Sequence, residues 1–432
     1  MRAAADRATV LPSVRAQGRV TVPGDKSISH RYAMLAALAD GTSRIRGYSR
    51  GADCAATLEC LRTLGAGVEW REEVVAITGC GRDGLRQPST ALDALNSGTT
   101  VRLLSGILAG QPFTSTFTGD ASLKRRPMRR IIEPLTRMGA TVVSDDGRLP
   151  LEIRGTHLRA ITHRPEVPSA QVKSCVLLAG LFAEGMTKVA EPFPTRDHTE
   201  RALVTFGVRV ERGQDGSVGI DGGQSLAARE LMVPGDISGA AFWAALAAGT
   251  PGGRIHVERV GLNPTRTGLI DVLRRAGARV SVEAADTTSA EPTGTLTIAC
   301  EEMRSFDVSP SEVPGVIDEI PALAALAAMM PPGLTLTVRG ARELRVKESD
   351  RIASLAAGFR ALGSRVEEYE DGFRLEARPL HEADVDAVGD HRLAMAFAIA
   401  ATRASGPVTI AAASSVDVSY PGFFEMLGQL TR

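Results

Sequence analysis

Polar and charged residues stand directly before several runs of alanine and leucine in the 432-residue sequence. Nearly unbroken apolar runs predict buried helices, so these residues would lie at helix N-termini, where backbone N–H groups and the helix dipole favour anions. Binding of phosphate or carboxylate groups is the chemistry that they predict, although Ser27 or Ser169 alone could simply cap its helix. The groups are Lys26, Ser27 and Arg31; Asn96, Gly98, Thr99 and Arg102; Ser169, Gln171 and Lys173; Asp318 and Glu319; and Asp390, His391 and Arg392.

Two basic segments lie outside these helix starts. The segment ASLKRRPMRR at 121–130 carries five basic residues, which is typical of a solvated loop that enters a helix or of a polyanion patch. In RELRVKESDRIASL at 342–355, Lys347 and Arg351 are four residues apart, so on a helix they would face the same way with Glu348 adjacent. This second segment predicts either a charged site or a surface helix with salt bridges.

The elements that must position these groups repeat along the chain. Buried helices alternate with amphipathic helices that end near glycine and lead into a strand, which indicates six similar units, three before about residue 236 and three after it. The buried runs lie in 22–41, 96–110, 168–185, 233–249, 317–333 and 390–406, and the amphipathic ones in 58–70, 132–144, 201–211, 270–283, 355–370 and 423–430. A simpler alternative is an α/β protein with alanine-rich core helices.

The motif Val-Pro-Gly-Asp occurs twice, at 22–25 and 233–236. We interpret the two copies as crossings of the chain between two similar domains. One predicted domain is discontinuous and consists of residues 1–23 and 237–432, and the other spans 24–236.

Composition bounds the possible functions. Lysine plus arginine and aspartate plus glutamate both total 50, so the zero net charge favours neither nucleic acid nor an anionic membrane as a partner. The five cysteines show no C-x-x-C spacing, which indicates a reducing compartment. The first residues lack the apolar segment of a secretory signal, and the apolar stretches are too short to span a bilayer. We therefore expect a cytoplasmic protein.

Several common catalytic motifs are absent from the sequence. It has no G-x-x-x-x-G-K-[ST], no G-x-S-x-G and no H-E-x-x-H, and none of the usual metal-binding signatures. No short-range pattern indicates a covalent nucleophile either.

Eight segments resemble the signatures of the EPSP synthase (3-phosphoshikimate 1-carboxyvinyltransferase) family in the family's order, and the resemblance covers about 10–428. The TRDHTE and SAQVKS forms look like those of a bacterial subgroup that includes glyphosate-tolerant members. The segments are PGDKSISHR (23–31), NSGTTVRLL (96–104), GDASLKRRPM (119–128), PSAQVKS (168–174), TRDHTERAL (195–203), IDEIP (317–321), ELRVKESDRI (343–352) and DHRLAMAF (390–397).

This resemblance implies a fold and a reaction. The fold is an α/β architecture of two similar domains, each of three βαβαββ units with buried helices, known as the inside-out α/β barrel of enolpyruvyl transferases. The reaction transfers the enolpyruvyl group of phosphoenolpyruvate to the 5-hydroxyl of shikimate 3-phosphate and releases phosphate. It uses no metal or organic cofactor, and a monomer catalyses it in a cleft between the domains.

The resemblance also implies roles for residues that match the family's motifs. Asp318 would take the proton of the substrate hydroxyl, and Glu348, with Lys26, would serve proton transfer at C3 of phosphoenolpyruvate. Shikimate 3-phosphate would be bound by Lys26, Ser27, Arg31, Ser169, Ala170, Gln171, Arg196, Asp318 and Lys347. Phosphoenolpyruvate would be bound by Lys26, Asn96, Gly98, Arg126, Gln171, Arg351 and Arg392.

One departure from the family pattern and two alternatives accompany this interpretation. Many relatives have a lysine where this chain has Val418, so one phosphate contact is in doubt, and Gly98 predicts sensitivity to glyphosate. The first alternative is an enolpyruvyl transferase for UDP-N-acetylglucosamine, which typically has a loop cysteine, whereas here no cysteine lies between Cys80 and Cys175. The second is a non-catalytic anion-binding protein of the same fold.

Overall fold

The computed structural model describes residues 6–286 and 290–432, and the chain divides into two compact units. The continuous unit spans Gly24–Val233. The split unit combines the residues up to Pro23 with Pro234–Arg432. The division after Val233 thus falls inside the second Val-Pro-Gly-Asp copy rather than after it, because the amide of Gly235 donates to the carbonyl of Arg259 at 2.8 Å, within the split unit.

Two strands precede the first crossing, and the continuous unit follows. The two strands are β1 (Arg7–Val10) and β2 (Gln17–Thr21). The helices of the continuous unit are α1 (Lys26–Leu38), α2 (Ala52–Thr63), α3 (Gly98–Ala109), α4 (Ala121–Arg125), α5 (Arg129–Met138), α6 (Ala170–Gly180) and α7 (His198–Thr205). Its strands are β3 (Thr42–Arg46), β4 (Gly67–Arg71), β5 (Val74–Thr78), β6 (Leu92–Asp93), β7 (Thr114–Thr118), β8 (Thr141–Asp145), β9 (Arg148–Arg154), β10 (Leu158–Arg159), β11 (Thr162–His163), β12 (Ala183–Glu184), β13 (Met186–Val189), β14 (Val210–Arg212), β15 (Val218–Asp221) and β16 (Glu230–Met232).

The split unit resumes after the second crossing with the same alternation of elements. Its helices are α8 (Ile237–Gly249), α9 (Gly268–Arg275), α10 (Val313–Val316), α11 (Ile320–Met329), α12 (Arg351–Ala361), α13 (His391–Ala401) and α14 (Phe423–Thr431), with short 3-10 helices at Arg342–Val346 and Ala413–Val418. Its further strands are β17 (Arg254–Gly261), β18 (Arg279–Asp286), β19 (Thr293–Ala299), β20 (Phe306–Val308), β21 (Thr335–Val338), β22 (Arg365–Tyr369), β23 (Gly372–Glu376), β24 (Ala383–Asp386) and β25 (Val408–Ala411).

One sheet pattern recurs in both units. In the continuous unit, three four-stranded sheets have the orders β16-β3-β5-β4, β6-β7-β9-β8 and β11-β13-β15-β14, and β10 pairs with β12. The split unit has β2-β17-β19-β18, β20-β21-β23-β22 and the three-stranded β24-β25-β1. In every one of these larger sheets the first pair is parallel and the remaining pairs are antiparallel. This recurrence agrees with the six repeated units predicted from the sequence.

In two sheets, the first strand and the buried helix that follows it in the sequence belong to different units. Strand β2 precedes α1 in the sequence but pairs with β17 of the split unit. Strand β16 precedes α8 but pairs with β3 of the continuous unit. Each Val-Pro-Gly-Asp segment therefore connects a strand of one unit to a buried helix of the other, which is why one unit is discontinuous.

Six helices are buried on nearly all sides, as the apolar runs predict. These are α1, α3 and α6 in the continuous unit and α8, α11 and α13 in the split unit. All thirteen residues of α8 are buried. The amphipathic helix α5, in contrast, buries one stripe, formed by Ile131, Pro134, Leu135 and Met138. Each unit has its own apolar core around its three buried helices.

One local prediction is wrong. Residues 342–355 do not form one helix, since the 3-10 helix ends at Val346 and α12 begins only at Arg351. The carboxylate of Asp350 accepts a hydrogen bond from the amide of Ala353 at 3.0 Å and so caps α12. Lys347 and Arg351 therefore do not share a helix face.

Within the described part of the chain, no helix combines the length and the apolar character needed to cross a membrane.

The close packing of α3 on α6 gives a stability prediction. A Cβ at Gly106 would lie 2.2 Å from the carbonyl oxygen of Cys175, so Gly106→Ala must push the two helices apart. Such overpacking costs about 1–3 kcal/mol, and we expect a lower urea midpoint. In the control Gly428→Ala, the new Cβ has no described atom within 4 Å apart from its sequence neighbours and the backbone of its own helix. Alanine inside α14 is expected to raise stability by about 0.5–1 kcal/mol. An unchanged midpoint for Gly106→Ala would contradict the packing.

Candidate functional site

The buried helices of the continuous unit begin with capped N-terminal turns. The side chains of Asp25, Ser97 and Ser169 accept hydrogen bonds from the amides of Ile28, Thr100 and Val172, respectively. Ser169 is thus a cap, as one interpretation of the sequence proposed, whereas Ser27 lies inside α1 and Asp25 takes the capping position. The first turns of these helices contain most of the site residues predicted for this unit.

Lys26 is the first residue of α1, and Asp53 of α2 holds it in place. The Lys26 Nζ lies 3.0 Å from the Asp53 Oδ2, with side-chain exposures of 14% and 7%. Asp53 was not among the predicted site residues, because its position 27 residues later in the sequence gives no local signal of the pairing.

Arg31 is buried and connects three helices. Its Nη1 donates to the carbonyl of Ser27 at 2.8 Å, its Nη2 to the Ser174 Oγ at 2.7 Å and its Nε to the Thr199 Oγ1 at 2.7 Å. Ser174 and Thr199 lie on α6 and α7 and are themselves 2.6 Å apart. These two hydroxyls were missed from the sequence, although both belong to segments that resemble the family.

Gln171 connects the N-terminal turns of α6 and α3. Its Oε1 accepts from the Arg102 Nη1 at 2.6 Å, and its Nε2 donates to the Thr99 Oγ1 at 2.9 Å. Arg102 also donates to the carbonyl of Pro127 at 3.3 Å. Thr99 and Arg102 were noted as polar residues at a helix start but were given no role. Ala170, the first residue of α6, lies beside this contact.

Arg126 and Asn96 meet at the beginning of α3. The Arg126 Nη2 donates to the Asn96 Oδ1, and the Asn96 Nδ2 donates to the Asp120 Oδ2 at 2.6 Å. A Cβ at Gly98 would lie 3.5 Å from the Arg126 Nη1. Three residues predicted for phosphoenolpyruvate thus lie together. The basic segment 121–130 folds as α4 and the start of α5, with Arg126 between them.

A buried ion cluster holds the segment that carries Arg196. The Lys173 Nζ lies 2.9 Å from the Glu191 Oε2 and 2.8 Å from the Glu200 Oε1, and all three side chains are at most 7% exposed. Lys173 also donates to the carbonyl of Thr195 at 3.3 Å. Burial alone would lower the pKa of Lys173, but the two carboxylates outweigh it and raise the pKa. Arg196 itself is half-buried and follows Thr195.

In the split unit, Arg351 is surrounded by three carboxylates. Its side chain is 1% exposed, its Nε lies 2.8 Å from the Asp390 Oδ2, its Nη2 2.5 Å from the Glu348 Oε2 and its Nη1 3.6 Å from the Asp318 Oδ1. Although burial opposes the charge, these acidic groups raise the pKa of Arg351. The Nη1 makes no hydrogen bond within the described residues.

Asp318 is the point at which the other predicted residues of this unit converge. The Lys347 Nζ lies 3.9 Å from its Oδ1, and the Arg392 Nη1 donates to its backbone carbonyl at 2.7 Å. Lys347 has a 29% exposed side chain, and desolvation by the surrounding protein lowers its pKa while Asp318 opposes the shift. Lys347 and Arg351 therefore do approach one carboxylate, but from a loop and a helix start rather than from one helix face.

Asp390 is a further residue that the sequence argument left without a role. It is 0% exposed, it caps α13 by accepting from the amide of Arg392 at 3.0 Å, and it accepts from the Ser349 Oγ at 3.1 Å. It thereby fixes the loop of Glu348 to the helix of Arg392. The sequence signal for a role of Asp390 is its position directly before an apolar run.

Val418, the position at which many relatives have a lysine, lies next in sequence to residues that approach Arg392. Val418 ends a 3-10 helix, and the following Ser419 and Tyr420 line a small cavity together with Arg392. Asp236 and Ser238 at the start of α8 also line this cavity.

In the described residues, no group of three or more histidine, cysteine, aspartate or glutamate side chains is arranged to hold a metal ion.

The fold of this chain is shared by proteins of known structure. The enolpyruvyl transferase NikO from Streptomyces tendae has the same fold, with a TM-score of 0.81 at 19% identity over 99% of this chain and 98% of NikO. The model of the EPSP synthase (3-phosphoshikimate 1-carboxyvinyltransferase) family matches residues 10–427. The chain belongs to this family, and it is an enzyme, a transferase.

Individual relatives support the same assignment. The 3-phosphoshikimate 1-carboxyvinyltransferase of Koribacter versatilis is 48% identical over 98% of this chain and 99% of its own length, and that of Halorhodospira halophila is 49% identical over 98% and 95%. A solved EPSP synthase from Acinetobacter baumannii has a TM-score of 0.86 and 42% identity over 98% of both chains. The predicted family and the predicted α/β fold are confirmed.

The buried Lys173 cluster gives a second prediction. Lys173→Met leaves two buried carboxylates without their cation, which costs about 3–5 kcal/mol, so the urea midpoint should fall. The exposed Lys188 serves as a control, since Lys188→Met should change stability by less than about 0.5 kcal/mol. Equal midpoints for the two variants would show that the cluster adds no stability.

The raised pKa of Lys173 sets the pH range of this effect. A folded-state pKa above the ordinary value of 10.5 means that the cation's contribution is complete below that value and is lost as pH rises through the folded-state pKa. As pH rises, the stability difference between the unaltered protein and Lys173→Met should therefore begin to shrink only in strongly alkaline solution. A difference that disappears near neutral pH would contradict the assignment.

Proposed function

We propose that this chain transfers the enolpyruvyl group of phosphoenolpyruvate to the 5-hydroxyl of shikimate 3-phosphate and releases phosphate, the reaction of its family. The observation that carries the proposal is the position of the Asp318 carboxylate between the Lys347 and Arg351 cations, at 3.9 and 3.6 Å. An acidic residue and anion-binding groups in one place are what the reaction requires.

Proton transfer is assigned to two carboxyl groups. The nearby cations stabilise Asp318 as a carboxylate, so it suits removal of the proton from the 5-hydroxyl as that oxygen attacks C2 of phosphoenolpyruvate. Glu348, together with Lys26, delivers a proton to C3. The resulting tetrahedral adduct then loses a proton from C3 while the C2–O bond to phosphate breaks. The enolpyruvyl ether and inorganic phosphate are the products.

Shikimate 3-phosphate is assigned mainly to the continuous unit. The Ser169 side chain and the Ala170 amide at the start of α6 bind its phosphate, where the helix dipole adds to the hydrogen bonds. Arg31 binds its carboxylate, while Ser27 and Lys26 lie on the same helix start. Lys347, Asp318, Gln171 and Arg196 complete this set.

Phosphoenolpyruvate is assigned to residues of both units. Arg126, Asn96 and Gly98 at the start of α3 supply one group, with Lys26 and Gln171. In the split unit, Arg351 and Arg392 hold the carboxylate, because the planar guanidinium matches it. The Arg351 Nη1, which makes no hydrogen bond within the described residues, supports this role.

The proposal requires the two groups of residues to meet in a cleft between the predicted domains, 24–236 and 1–23 with 237–432. Because each substrate is assigned groups from both, binding should favour a closed arrangement. Small-angle X-ray scattering with both ligands, or with neither, tests this. Identical scattering profiles would count against a shared cleft.

The overall reaction is tested by phosphate release from phosphoenolpyruvate with each acceptor. Release with shikimate 3-phosphate, and none with UDP-N-acetylglucosamine, is expected. The reverse pattern would favour the UDP-N-acetylglucosamine enzyme, and no release with either would favour a non-catalytic anion-binding protein.

A monomeric state, a cytoplasmic location and the absence of a cofactor stay predictions, as does sensitivity to glyphosate. Sensitivity is supported by Gly98, because a methyl group there would lie 2.9 Å from the Arg102 Nη1 and crowd the site. Inhibition competitive with phosphoenolpyruvate is the expected result.

Asparagine or glutamine at the two acid–base positions separates their roles. Asp318→Asn and Glu348→Gln should each lower kcat by about 10²–10⁴-fold, the usual contribution of general acid–base catalysis. Glu348→Gln should also slow deuterium incorporation at C3 in D2O. The control Asp307→Asn changes an exposed carboxylate of the same unit and should leave kcat near its original value. Unchanged turnover in Asp318→Asn would rule out its role as the base.

A further inference from the structure

A line of hydrogen-bonded side chains runs through the interior of the continuous unit from α1 to the beginning of α3. The His30 Nδ1 lies 2.6 Å from the Thr57 Oγ1, which lies 2.6 Å from the Thr100 Oγ1. The Thr100 Oγ1 donates to the Ser97 Oγ at 2.7 Å. All four side chains are 0% exposed. We call them the His30–Ser97 line, and none of them has a role in the reaction described above.

The donors along this line have a fixed order. Each hydroxyl carries one proton, and the Thr100 hydroxyl uses its proton in the hydrogen bond that it donates to Ser97. Thr57 must therefore donate to Thr100, and the Nδ1 of His30 must in turn donate to Thr57. The line thus requires a proton on the Nδ1 of His30.

The other ring nitrogen of His30 leads to the same conclusion. The Nε2 is buried and makes no hydrogen bond within the described residues. A buried N–H without an acceptor is rarer in proteins than an acceptor without a donor, so the proton belongs on Nδ1. Burial, with the charges of Lys26 and Arg31 adding to it, also holds the pKa of His30 well below 6.5, which keeps the ring neutral.

The line ends at the residue that sets the start of α3. The Ser97 Oγ accepts a second hydrogen bond, from the amide of Thr100 at 3.1 Å, and so caps the helix. Its neighbours on either side are Asn96 and Gly98, and Asn96 accepts from Arg126. The position of this phosphoenolpyruvate group thus depends on an interior contact made by α2 through Thr57.

We propose that the His30–Ser97 line is a positioning device for phosphoenolpyruvate, with Thr57 as its central residue, and this rests on the proposed function. The line fixes the first turn of α3 and so the segment 96–98. Ser169, which caps α6, and Ala170, its first residue, are assigned to the phosphate of shikimate 3-phosphate and make no hydrogen bond with the line in the described residues. Breaking the line should therefore weaken the binding of phosphoenolpyruvate and leave the binding of shikimate 3-phosphate unchanged.

Thr57→Val tests this, since valine has nearly the shape of threonine but no hydroxyl. We expect the KM for phosphoenolpyruvate to rise about three- to tenfold, the equivalent of one net hydrogen bond, with kcat and the KM for shikimate 3-phosphate nearly unchanged. Thr57→Ser keeps the hydroxyl and should restore the original KM. Thr63→Val is the matched control, since Thr63 lies half-buried on the same helix and its hydroxyl donates to the carbonyl of Glu59, outside the line. Equal increases in both KM values, or no increase, would overturn the proposal.

A second measurement examines the line in the unaltered protein and uses a variant only to assign a signal. The ¹⁵N chemical shifts of histidine-labelled protein report which ring nitrogen carries the proton, and His30→Gln identifies the signal. A proton on Nδ1 is expected, and a proton on Nε2 would overturn the line even if Thr57→Val fails to fold. If the unaltered enzyme releases no phosphate with shikimate 3-phosphate, the proposed function fails, whereas the tautomer result still decides whether the line exists.

Discussion

Helices that are apolar on nearly every side are stable only inside protein, and their first turns then bring N–H groups into the interior, where each needs an acceptor or an anion. Six such helices build this molecule. In α1, α3, α6, α8 and α13, a side chain of the preceding residue meets part of this need. Several of these helix starts also carry residues that the proposed function assigns to phosphate and carboxylate groups of the substrates. In that proposal, stability and ligand binding depend on the same helix ends.

The two units meet this constraint with different chemistry. In the continuous unit, neutral side chains surround two of the arginines: Gln171 accepts from Arg102, and the hydroxyls of Ser174 and Thr199 accept from Arg31. The cations of Lys26 and Lys173 in this unit are paired with carboxylates instead. In the split unit, three carboxylates surround one buried arginine. The first arrangement suits recognition of a polar substrate, and the second suits proton transfer beside a bound anion. An overall charge of zero is compatible with both, because the cations are paired locally.

Much of the fold and part of the candidate site could be predicted from the sequence, because their signals are local. Buried runs, amphipathic helices and the Val-Pro-Gly-Asp copies each occupy a short segment, and the motifs around Lys26 and Arg392 fall at helix starts. What could not be predicted depends on distant pairs. Asp53 reaches Lys26 from another helix, and Lys173 meets Glu191 of a loop and Glu200 of α7. The helix considered for Lys347 and Arg351 does not form, because the 3-10 helix ends at Val346 and α12, capped by Asp350, begins only at Arg351.

The exchange of first strands has a consequence for synthesis on the ribosome. Strand β2 is translated before its partner β17, which lies more than two hundred residues later, and Arg7 of β1 pairs with Ala411. On the ribosome, strands β1 and β2 must therefore wait for their partners, while the continuous unit gains its last strand, β16, only once residue 232 has emerged. Contacts so distant in sequence form slowly, and exposed strand edges invite wrong pairing in the meantime. Chaperone dependence of the nascent chain should thus be concentrated in the segment of β1 and β2.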